Sequence, residues 1–426
     1  MTPHQGETRP AAPPFMILGR PPVPYVGAVP TTTTGGPQMN RKSAAIAALI
    51  AAAVLVPAAA PAVAAPLGGS AVAQGRPADR AADRAALQQA LDAAVAGGAP
   101  GAIAEVRDEH GTWRGVSGYA DLADRQRPQA SDRFRAGSVT KSFTSTVVLQ
   151  LVAEGRIGLD DPIERHLPGL LPNGDHITVR RLLNHTAGLT DFIELLLADP
   201  GAVQAAQHTT YTPEQLIGLA VQHGPKFAPG TSWGYSNTNY FVLGLLVEHT
   251  TGRPLSQEIT RRILHPLHLR NTSLPGSDQL PGPQLHGYEW LAGPGAAPVD
   301  LTTFNPSVYW AAGGIVSTTS DLNRFYRALF GGELLPPEQL RAMQEMQQTD
   351  RDDHRTYGLG LEARPACADG SRVVGHTGSV AGYTTFSFTS KGGGRQLTLA
   401  VNTSVTLPAA AGDAMNRLVT TALCDR

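Results

Sequence analysis

Segments that favour β-strands lie towards both ends of this chain, and a long helix-rich region separates them. Residues 102–106 and 113–118 flank the turn His110-Gly111 as the arms of a hairpin. Three later strands are predicted, separated by glycine-rich turns, at Arg372–Gly375, Gly382–Thr389 and Gln396–Asn402. Strands from both ends that share one sheet must cover its faces with helices. We therefore predict an α+β fold, an antiparallel sheet flanked by helices with an inserted, mostly helical lobe.

Apolar spacing and capping residues predict the helices. The clearest runs from Ser138 to Ala153, where Phe143, Val147 and Leu151 form an apolar stripe and Gly155 ends the helix. The other predicted helices are residues 79–97, one that starts at Thr212-Pro213-Glu214, one over Asn239–Thr250 and a last one from Ala409 to Leu423.

The first 80 or so residues resemble processing sequence rather than folded protein. Residues 1–38 are rich in proline, glycine and threonine without apolar periodicity, and we expect them to be disordered or an upstream segment ahead of a true start at Met39. A basic stretch, an apolar run of about 13 residues and small residues then predict a signal peptide over 39–73, cleaved near Ala64 or Ala73. A retained membrane anchor is the alternative, although about 20 apolar residues are needed to span a bilayer. Residues 74–80 are predicted to be a linker, and 81–426 the folded domain.

Charge and cysteine content narrow the function classes. The formal net charge of −1 gives no attraction to nucleic acid, so no nucleic-acid partner is expected. The chain has only two cysteines, Cys367 and Cys424, and in an exported protein they predict one disulfide. Neither lies in a pattern typical of a metal site, and no metal or other cofactor is expected.

A serine and a lysine stand three residues apart near the start of the best predicted helix. Residues with this spacing share one helical face, so Lys141 can reach the hydroxyl of Ser138. A serine becomes a nucleophile when a neighbouring base takes its proton, and a lysine is such a base if its pKa falls. Lysine is scarce in this chain, which makes its presence in a motif informative. The alternative is a helix-capping serine with a solvated lysine.

Two further elements carry polar groups suited to the same chemistry. Tyr235, Ser236 and Asn237 precede a predicted helix, and a phenol beside a lysine amine can relay protons. The element His376-Thr377-Gly378 ends a predicted strand, where a glycine lets a ligand approach the backbone. The alternatives are a capping asparagine beside a half-buried tyrosine, and an ordinary polar residue at a strand end.

The order S-x-x-K, Y-S-N and H-T-G resembles that of the penicillin-recognising serine enzymes, which include DD-peptidases, serine β-lactamases and related esterases. Further similar segments are Phe134–Phe143, Leu182–Leu189, Pro229-Gly230, Tyr235–Tyr240 and Tyr357–Leu361. The resemblance extends over roughly residues 85 to 425 and is closest to the secreted D-alanyl-D-alanine carboxypeptidases of Gram-positive bacteria, which also carry a late cysteine pair. It implies the β-lactamase/transpeptidase-like fold.

The resemblance also implies roles for individual residues. Ser138 is the acylated nucleophile, Lys141 its base and Tyr235 the proton shuttle to the leaving amine. The substrate-binding residues that it implies are Asn237 on the acyl side, His376, Thr377 and Gly378 towards the leaving group, and Ser379, whose N–H would complete an oxyanion hole with that of Ser138.

One residue departs from the pattern of the most similar enzymes. They carry an arginine that binds the terminal carboxylate of the substrate, and this chain has Glu362 there, with Arg364 two residues later on the same strand face. A glutamate would repel a carboxylate, so either Arg364 replaces the arginine or the preference for a free D-Ala end is weakened.

The sequence therefore predicts a secreted, monomeric serine DD-peptidase that removes the terminal D-Ala of peptidoglycan stem peptides and is acylated by β-lactams. An esterase or a β-lactamase acting on another small acyl substrate is the first alternative. A penicillin-binding protein without catalysis is the second.

Overall fold

The computed structural model describes residues 77–293, 295–349 and 354–424, with side chains from residue 81 onward. The predicted upstream segment and signal peptide lie outside the described residues. The first helix, α1, begins at Pro77 and not at residue 79, so part of the predicted linker is helical. Within the described ranges, no helix has both the length and the apolar character that are needed to cross a membrane.

An antiparallel sheet of eight strands forms the centre of the described part of the chain. Its order is β2-β1-β12-β11-β10-β9-β8-β7, so strands from both ends of the sequence are neighbours. The strands of this sheet are β1 (Gly101–Asp108), β2 (Gly111–Gly118), β7 (Gln347–Gln348), β8 (Thr356–Tyr357), β9 (Glu362–Pro365), β10 (Arg372–Val380), β11 (Tyr383–Thr389) and β12 (Gln396–Val401). Two small two-stranded sheets pair β3 (Phe134–Arg135) with β6 (Val316–Ser317) and β4 (Tyr288–Glu289) with β5 (Val299–Asp300).

Helices cover both faces of the sheet and build the region between its two halves. They are α1 (Pro77–Ala96), α2 (Thr140–Ala153), α3 (Val179–Leu183), α4 (Phe192–Leu196), α5 (Pro200–His208), α6 (Pro213–Gln222), α7 (Asn237–Thr251), α8 (Leu255–Ile259), α9 (Trp310–Gly313), α10 (Thr319–Phe330), α11 (Pro337–Met343) and α12 (Ala409–Leu423). The predicted α+β fold, with its inserted helical region, is confirmed.

Strand alternation divides the apolar side chains of the sheet between two cores. Ala102 and Val106 of β1, with Leu399 of β12, point to the face that α1 and α12 cover. Ile103 and Ala400 point to the opposite face, where the larger core contains α2, α7 and α10. The pairing of Ala102 with Val401 and of Ile103 with Ala400 fixes this register.

Helix α2 is buried well beyond its predicted apolar stripe. Its side chains from Thr140 to Leu149 are all buried, because the helix runs through the larger core. Its hydroxyl groups are satisfied inside the protein, since Ser142 donates to the Gly360 carbonyl and Thr144 to that of Ala311. A helix that carries the site is thereby held on every side.

The predicted local features at the ends of the chain and around Thr212 agree with the structure. The hairpin of β1 and β2 forms, Thr212 caps α6 with a capping box, and α12 spans its predicted range. The predicted disulfide is confirmed, and it joins the end of α12 to the turn after β9 through Cys424 and Cys367. The main difference is β10, which extends five residues beyond its predicted end at Gly375 to Val380 and so contains His376, Thr377 and Gly378.

Candidate active site

Ser138 lies in a 3₁₀ turn, Gly137–Val139, that leads into α2. Gly137 adopts a left-handed φ of +56°, and a Cβ atom there would lie 2.7 Å from the backbone nitrogen of Ser379. On the facing strand β10, a Cβ on Gly378 would lie 2.0 Å from the carbonyl oxygen of Ala136. Two glycines thus let the serine turn pack closely against the strand that carries Ser379.

Lys141 is fully buried beneath this turn, which excludes the alternative of a solvated lysine. Its Nζ lies 3.2 Å from Ser138 Oγ, 2.7 Å from Asn237 Oδ1 and 2.9 Å from the carbonyl oxygen of Ala312. The Asn237 and Ala312 oxygens can only accept hydrogen bonds. A neutral lysine therefore gives its two N–H bonds to them and turns its lone pair to the hydroxyl of Ser138.

Burial gives Lys141 the charge state that this arrangement needs. Desolvation lowers the pKa of Lys141 to about 7, against the opposing effect of the Asp191 carboxylate, which raises it. A substantial fraction of the amine is therefore neutral near neutral pH, and it can accept the proton of Ser138.

Asp191 fixes the direction of the Asn237 amide. The Nδ2 group of Asn237 donates to Asp191 Oδ2 at 2.8 Å, which leaves Oδ1 facing Lys141. Asp191 is itself held at the start of α4, where its other oxygen accepts the Ile193 N–H at 3.0 Å. Burial raises the pKa of Asp191, and hydrogen bonds and Lys141 partly offset this effect.

Tyr235 is half-buried and hydrogen-bonded to the side chain of Ser138. Burial raises its pKa well above 10, so the phenol keeps its proton and acts as a donor rather than as the resting base. Its ring lies over Lys141, with Nζ 4.8 Å from the ring centroid. Serine, lysine and tyrosine are thus in mutual contact, as acyl transfer requires.

His376 lines the pocket as a neutral ring with both nitrogens occupied. Burial lowers its pKa to about 4. Its Nδ1–H donates to the carbonyl oxygen of Thr377, and its Nε2 therefore accepts the hydroxyl of Tyr357 at 2.9 Å. The ring consequently builds the pocket wall and has no N–H left for a substrate.

Glu362 places a carboxylate at the same end of the pocket. Its Oε1 accepts the backbone N–H of Thr377 at 2.8 Å, and its Oε2 lies 3.5 Å from a guanidinium nitrogen of Arg355. Burial acts to raise the pKa of Glu362, but His376, Arg355, Arg364 and the hydrogen bond from Thr377 outweigh it and lower the pKa overall. The carboxylate is therefore ionised.

Arg364 is not among the residues that line this pocket. Arg364 follows Glu362 by two residues on β9, a distance of about 7 Å along the strand, and it lies beyond the end of the pocket. Its guanidinium lies 4.6 Å from the ring centroids of both Phe386 and Phe388 on the α12 face of the sheet. Of the two alternatives that the sequence left open, replacement of the family arginine by Arg364 thus disagrees with its position, and Arg355 is the arginine that lines the pocket.

The pocket beside Ser138 has a volume of about 200 Å³. Its walls contain most of the predicted site residues together with aromatic and charged residues that the sequence did not single out. They are Ser138, Trp233, Tyr235, Thr349, Arg355, Tyr357, Glu362, His376, Thr377 and Ser379. Three predicted residues do not line the pocket but are in contact with its walls or with each other. They are Lys141, which contacts Ser138, Asn237, which contacts Lys141, and Gly378, which packs against the serine turn.

The described ranges contain no group of three or more histidine, cysteine, aspartate or glutamate side chains that could hold a metal ion. A buried base beside a hydroxyl and a protonated phenol are parts of a serine acyl-transfer site.

Sequence reasoning missed several residues of this site, with Asp191 and His185 the most important. His185 belongs to the Leu182–Leu189 segment noted for its resemblance, and Asp191 follows shortly after it. Neither has a motif spacing relative to Ser138, because their contacts depend on how α3, α4 and α7 pack together. Tyr357 begins the Tyr357–Leu361 segment noted for its resemblance, whereas the signal for Arg355 was its closeness to Glu362 in sequence.

The family model called Beta-lactamase matches residues 85–422. Among curated proteins, penicillin-binding protein 4* of Bacillus subtilis is 26% identical over 279 residues, which cover 63% of this chain and 60% of that protein. The putative penicillin-binding protein PbpX of Bacillus subtilis is 30% identical over 251 residues, 58% of either chain. The chain thus spans about 60% of the length of these curated relatives.

Two solved structures match most of the chain. A D-stereospecific amidohydrolase from a Streptomyces species is 40% identical, with a TM-score of 0.73, and the match covers 80% of this chain and 98% of that one. The D-amino acid amidase of Ochrobactrum anthropi is 28% identical, with a TM-score of 0.72 and the same coverage.

Proposed function

The chain belongs to the Beta-lactamase family, and from this premise we propose that it hydrolyses amide bonds of D-configured acyl substrates with neutral leaving groups. It is a serine hydrolase of this family. Our proposal concerns its substrate class, which the leaving-group end of the pocket determines.

The ionised carboxylate of Glu362 carries the proposal. It lies against Thr377, where the resemblance puts the leaving group, and it repels a substrate that ends in a free carboxylate. Ammonia or an uncharged amine meets no such repulsion. The likeness to an amidohydrolase with D-stereospecificity and to a D-amino acid amidase supports the same substrate class.

The proposed reaction begins with Lys141. The neutral amine removes the proton of Ser138 as its Oγ attacks the amide carbon, and the Ser138 and Ser379 N–H groups stabilise the oxyanion. Tyr235 donates its proton to the leaving nitrogen as the C–N bond breaks, and the Lys141 ammonium returns that proton to the phenolate. Water then attacks the ester on Ser138 with the same groups acting in reverse.

A DD-carboxypeptidase that removes terminal D-Ala from stem peptides is the second candidate. The observation that favours it is Arg355, which lines the pocket and offers a cation near the leaving group. The names of the curated relatives as penicillin-binding proteins agree with it. Secretion, a peptidoglycan partner, a monomeric state and acylation by β-lactams are parts of this second proposal.

A matched substrate panel separates the candidates. The wild type and Ser138→Ala are assayed with D-phenylalanine amide, its L-enantiomer, acetyl-D-Ala-D-Ala and the C-terminal amide of that peptide. We expect turnover of D-phenylalanine amide and of the peptide amide, little turnover of the L-amide or the free-acid peptide, and none with Ser138→Ala.

Release of D-Ala from the free-acid peptide that is faster than release of ammonia or D-alaninamide from the peptide amide would favour the DD-carboxypeptidase over our proposal. Turnover of nitrophenyl esters without cleavage of any amide would favour an esterase. Undiminished activity of Ser138→Ala would overturn the nucleophile assignment itself.

A further inference from the structure

His185 lies directly beside the site in an unfavourable backbone conformation. It follows α3, its side chain is fully buried, and its φ of +65° lies in the left-handed region that few non-glycine residues adopt. Such a conformation persists where the surroundings determine it, and it is often found at functional sites. Its Nε2 has no hydrogen-bond partner in the described part of the chain, so hydrogen bonding alone does not account for a histidine here.

The hydrogen bonds of His185 fix its tautomer and connect it to the loop that contains Gly234, Tyr235 and Ser236. The backbone N–H of Ser236 points at His185 Nδ1, at 3.2 Å, and the side-chain amide of Asn239 lies 3.0 Å from the same nitrogen. A backbone N–H can only donate, so Nδ1 carries no proton and the ring is neutral with its hydrogen on Nε2. The carbonyl oxygen of His185 accepts the N–H of Gly234 at 3.0 Å.

The ring of His185 also supports the ring of Tyr235. Their centroids are 4.3 Å apart, and Tyr357 lies 4.8 Å away on another side of the imidazole. Burial, together with Lys141 and His376, lowers the pKa of His185 far below its ordinary value. One neutral residue thus contacts three successive residues of the loop, Gly234, Tyr235 and Ser236.

We propose that His185 is a positioning residue for the proton transfer from Tyr235 to the leaving nitrogen. Its Nδ1 holds the backbone after Tyr235, its carbonyl oxygen holds the backbone before it, and its ring holds the phenol ring against Ser138. This inference rests on the proposed function, because a nitrogen leaving group needs the proton of Tyr235 in the acylation step, whereas a leaving group such as nitrophenolate does not.

Two substitutions separate the hydrogen bond from the ring. His185→Phe keeps a flat ring but has no acceptor for the Ser236 N–H. His185→Asn loses the ring, tolerates the left-handed backbone and supplies an acceptor near the position of Nδ1. Leu418→Ala is the matched control, since Leu418 is fully buried in the α12 core on the other face of the sheet.

The substrates are the p-nitroanilide and the p-nitrophenyl ester of D-phenylalanine, which differ in the leaving atom. Nitrophenolate departs without protonation, whereas the anilide nitrogen requires it. We compare kcat/KM, which reports acylation alone, because the later hydrolysis of the acyl-enzyme also uses Tyr235 and is common to both substrates. For His185→Phe we expect kcat/KM for the anilide to fall on the order of 100-fold and kcat/KM for the ester to fall less than about 10-fold. His185→Asn should recover at least about 10-fold of the anilide loss, and Leu418→Ala should lower Tm without changing the anilide-to-ester ratio.

Equal losses on both substrates with His185→Phe would show that His185 has only a structural role. The same change in the anilide-to-ester ratio with Leu418→Ala would show this as well. Either result would overturn this inference and leave the proposed function standing. A wild type that cleaves the ester and not the anilide would contradict the proposed function, and with it this role. The two failures are therefore distinguishable in one data set.

Discussion

Replacing Asp191 with asparagine removes one negative charge from behind the catalytic lysine while nearly preserving side-chain shape. Asp191 is only 4% exposed, and Asn237 connects it to Lys141 through bonds of 2.8 and 2.7 Å. The new amide keeps an oxygen for Asn237 and gives up the bond to the Ile193 N–H. The substitution therefore acts mainly on electrostatics.

The magnitude follows from the distance between the two charges. Two hydrogen bonds and one amide separate them by about 6 Å, where an effective dielectric constant of about 20 gives about 3 kcal/mol. This energy corresponds to about two pKa units. The carboxylate raises the pKa of Lys141, so its removal lowers that pKa from about 7 towards about 5.

The assay is kcat/KM for an amide substrate as a function of pH. A base acts when deprotonated, so wild-type activity should rise through pH 7, and the rise should move down by about two units in Asp191→Asn. Asp321→Asn is the control, because Asp321 is a buried carboxylate in α10 whose hydrogen bonds go to Asn271 and Thr272. An acid limb that stays in place, or moves up, in Asp191→Asn would refute Lys141 as the base whose charge Asp191 controls.

Three further substitutions test the framework of the site. Gly137→Ala should reduce kcat on the order of 100-fold, because its Cβ would displace the Ser379 amide. Gly155→Ala is the control, since Gly155 also has a positive φ, +68°, but faces open space, and it should leave kcat unchanged. Similar kinetics for both variants would contradict the close contact between Gly137 and Ser379. Cys367→Ser should lower the free energy of unfolding by about 4 kcal/mol in urea titrations, and no loss would count against a stabilising bridge. Glu289→Gln should lower the free energy of unfolding by about 3 kcal/mol and lower Tm in thermal melts. The reason is that the buried carboxylate accepts N–H bonds from the turn after β10 and from the loop after β12. An unchanged Tm would argue against this role.

The local patterns of this sequence predicted the parts of the fold that local patterns determine. The hairpin of β1 and β2 followed from alternation around a turn, and the start of α6 followed from the capping residue Thr212. The end of β10 was missed because Gly375 and Gly378, which are depleted in strands, interrupt the strand pattern. Pairing with β11, a tertiary effect, keeps them extended.

The site was predictable to the extent that chain spacing determines it. Ser138 and Lys141 share a helical face, so their contact follows from sequence alone. Asp191 meets Asn237 only because α4 and α7 pack together, and no spacing indicates that contact. Alternation placed Arg364 on the same face as Glu362, but it could not show that the pocket ends before Arg364 is reached.

Acylation of Ser138 is the central claim, and trapping the acyl-enzyme tests it most directly. The wild type and Ser138→Ala are mixed with the p-nitrophenyl ester of D-phenylalanine, quenched in acid during turnover, and measured by intact mass and by mapping of the digested peptides. We predict one adduct per wild-type chain, on the peptide that contains Ser138, and none on the variant. An adduct on Ser138→Ala, or one that maps to another residue of the wild type, would contradict the assignment.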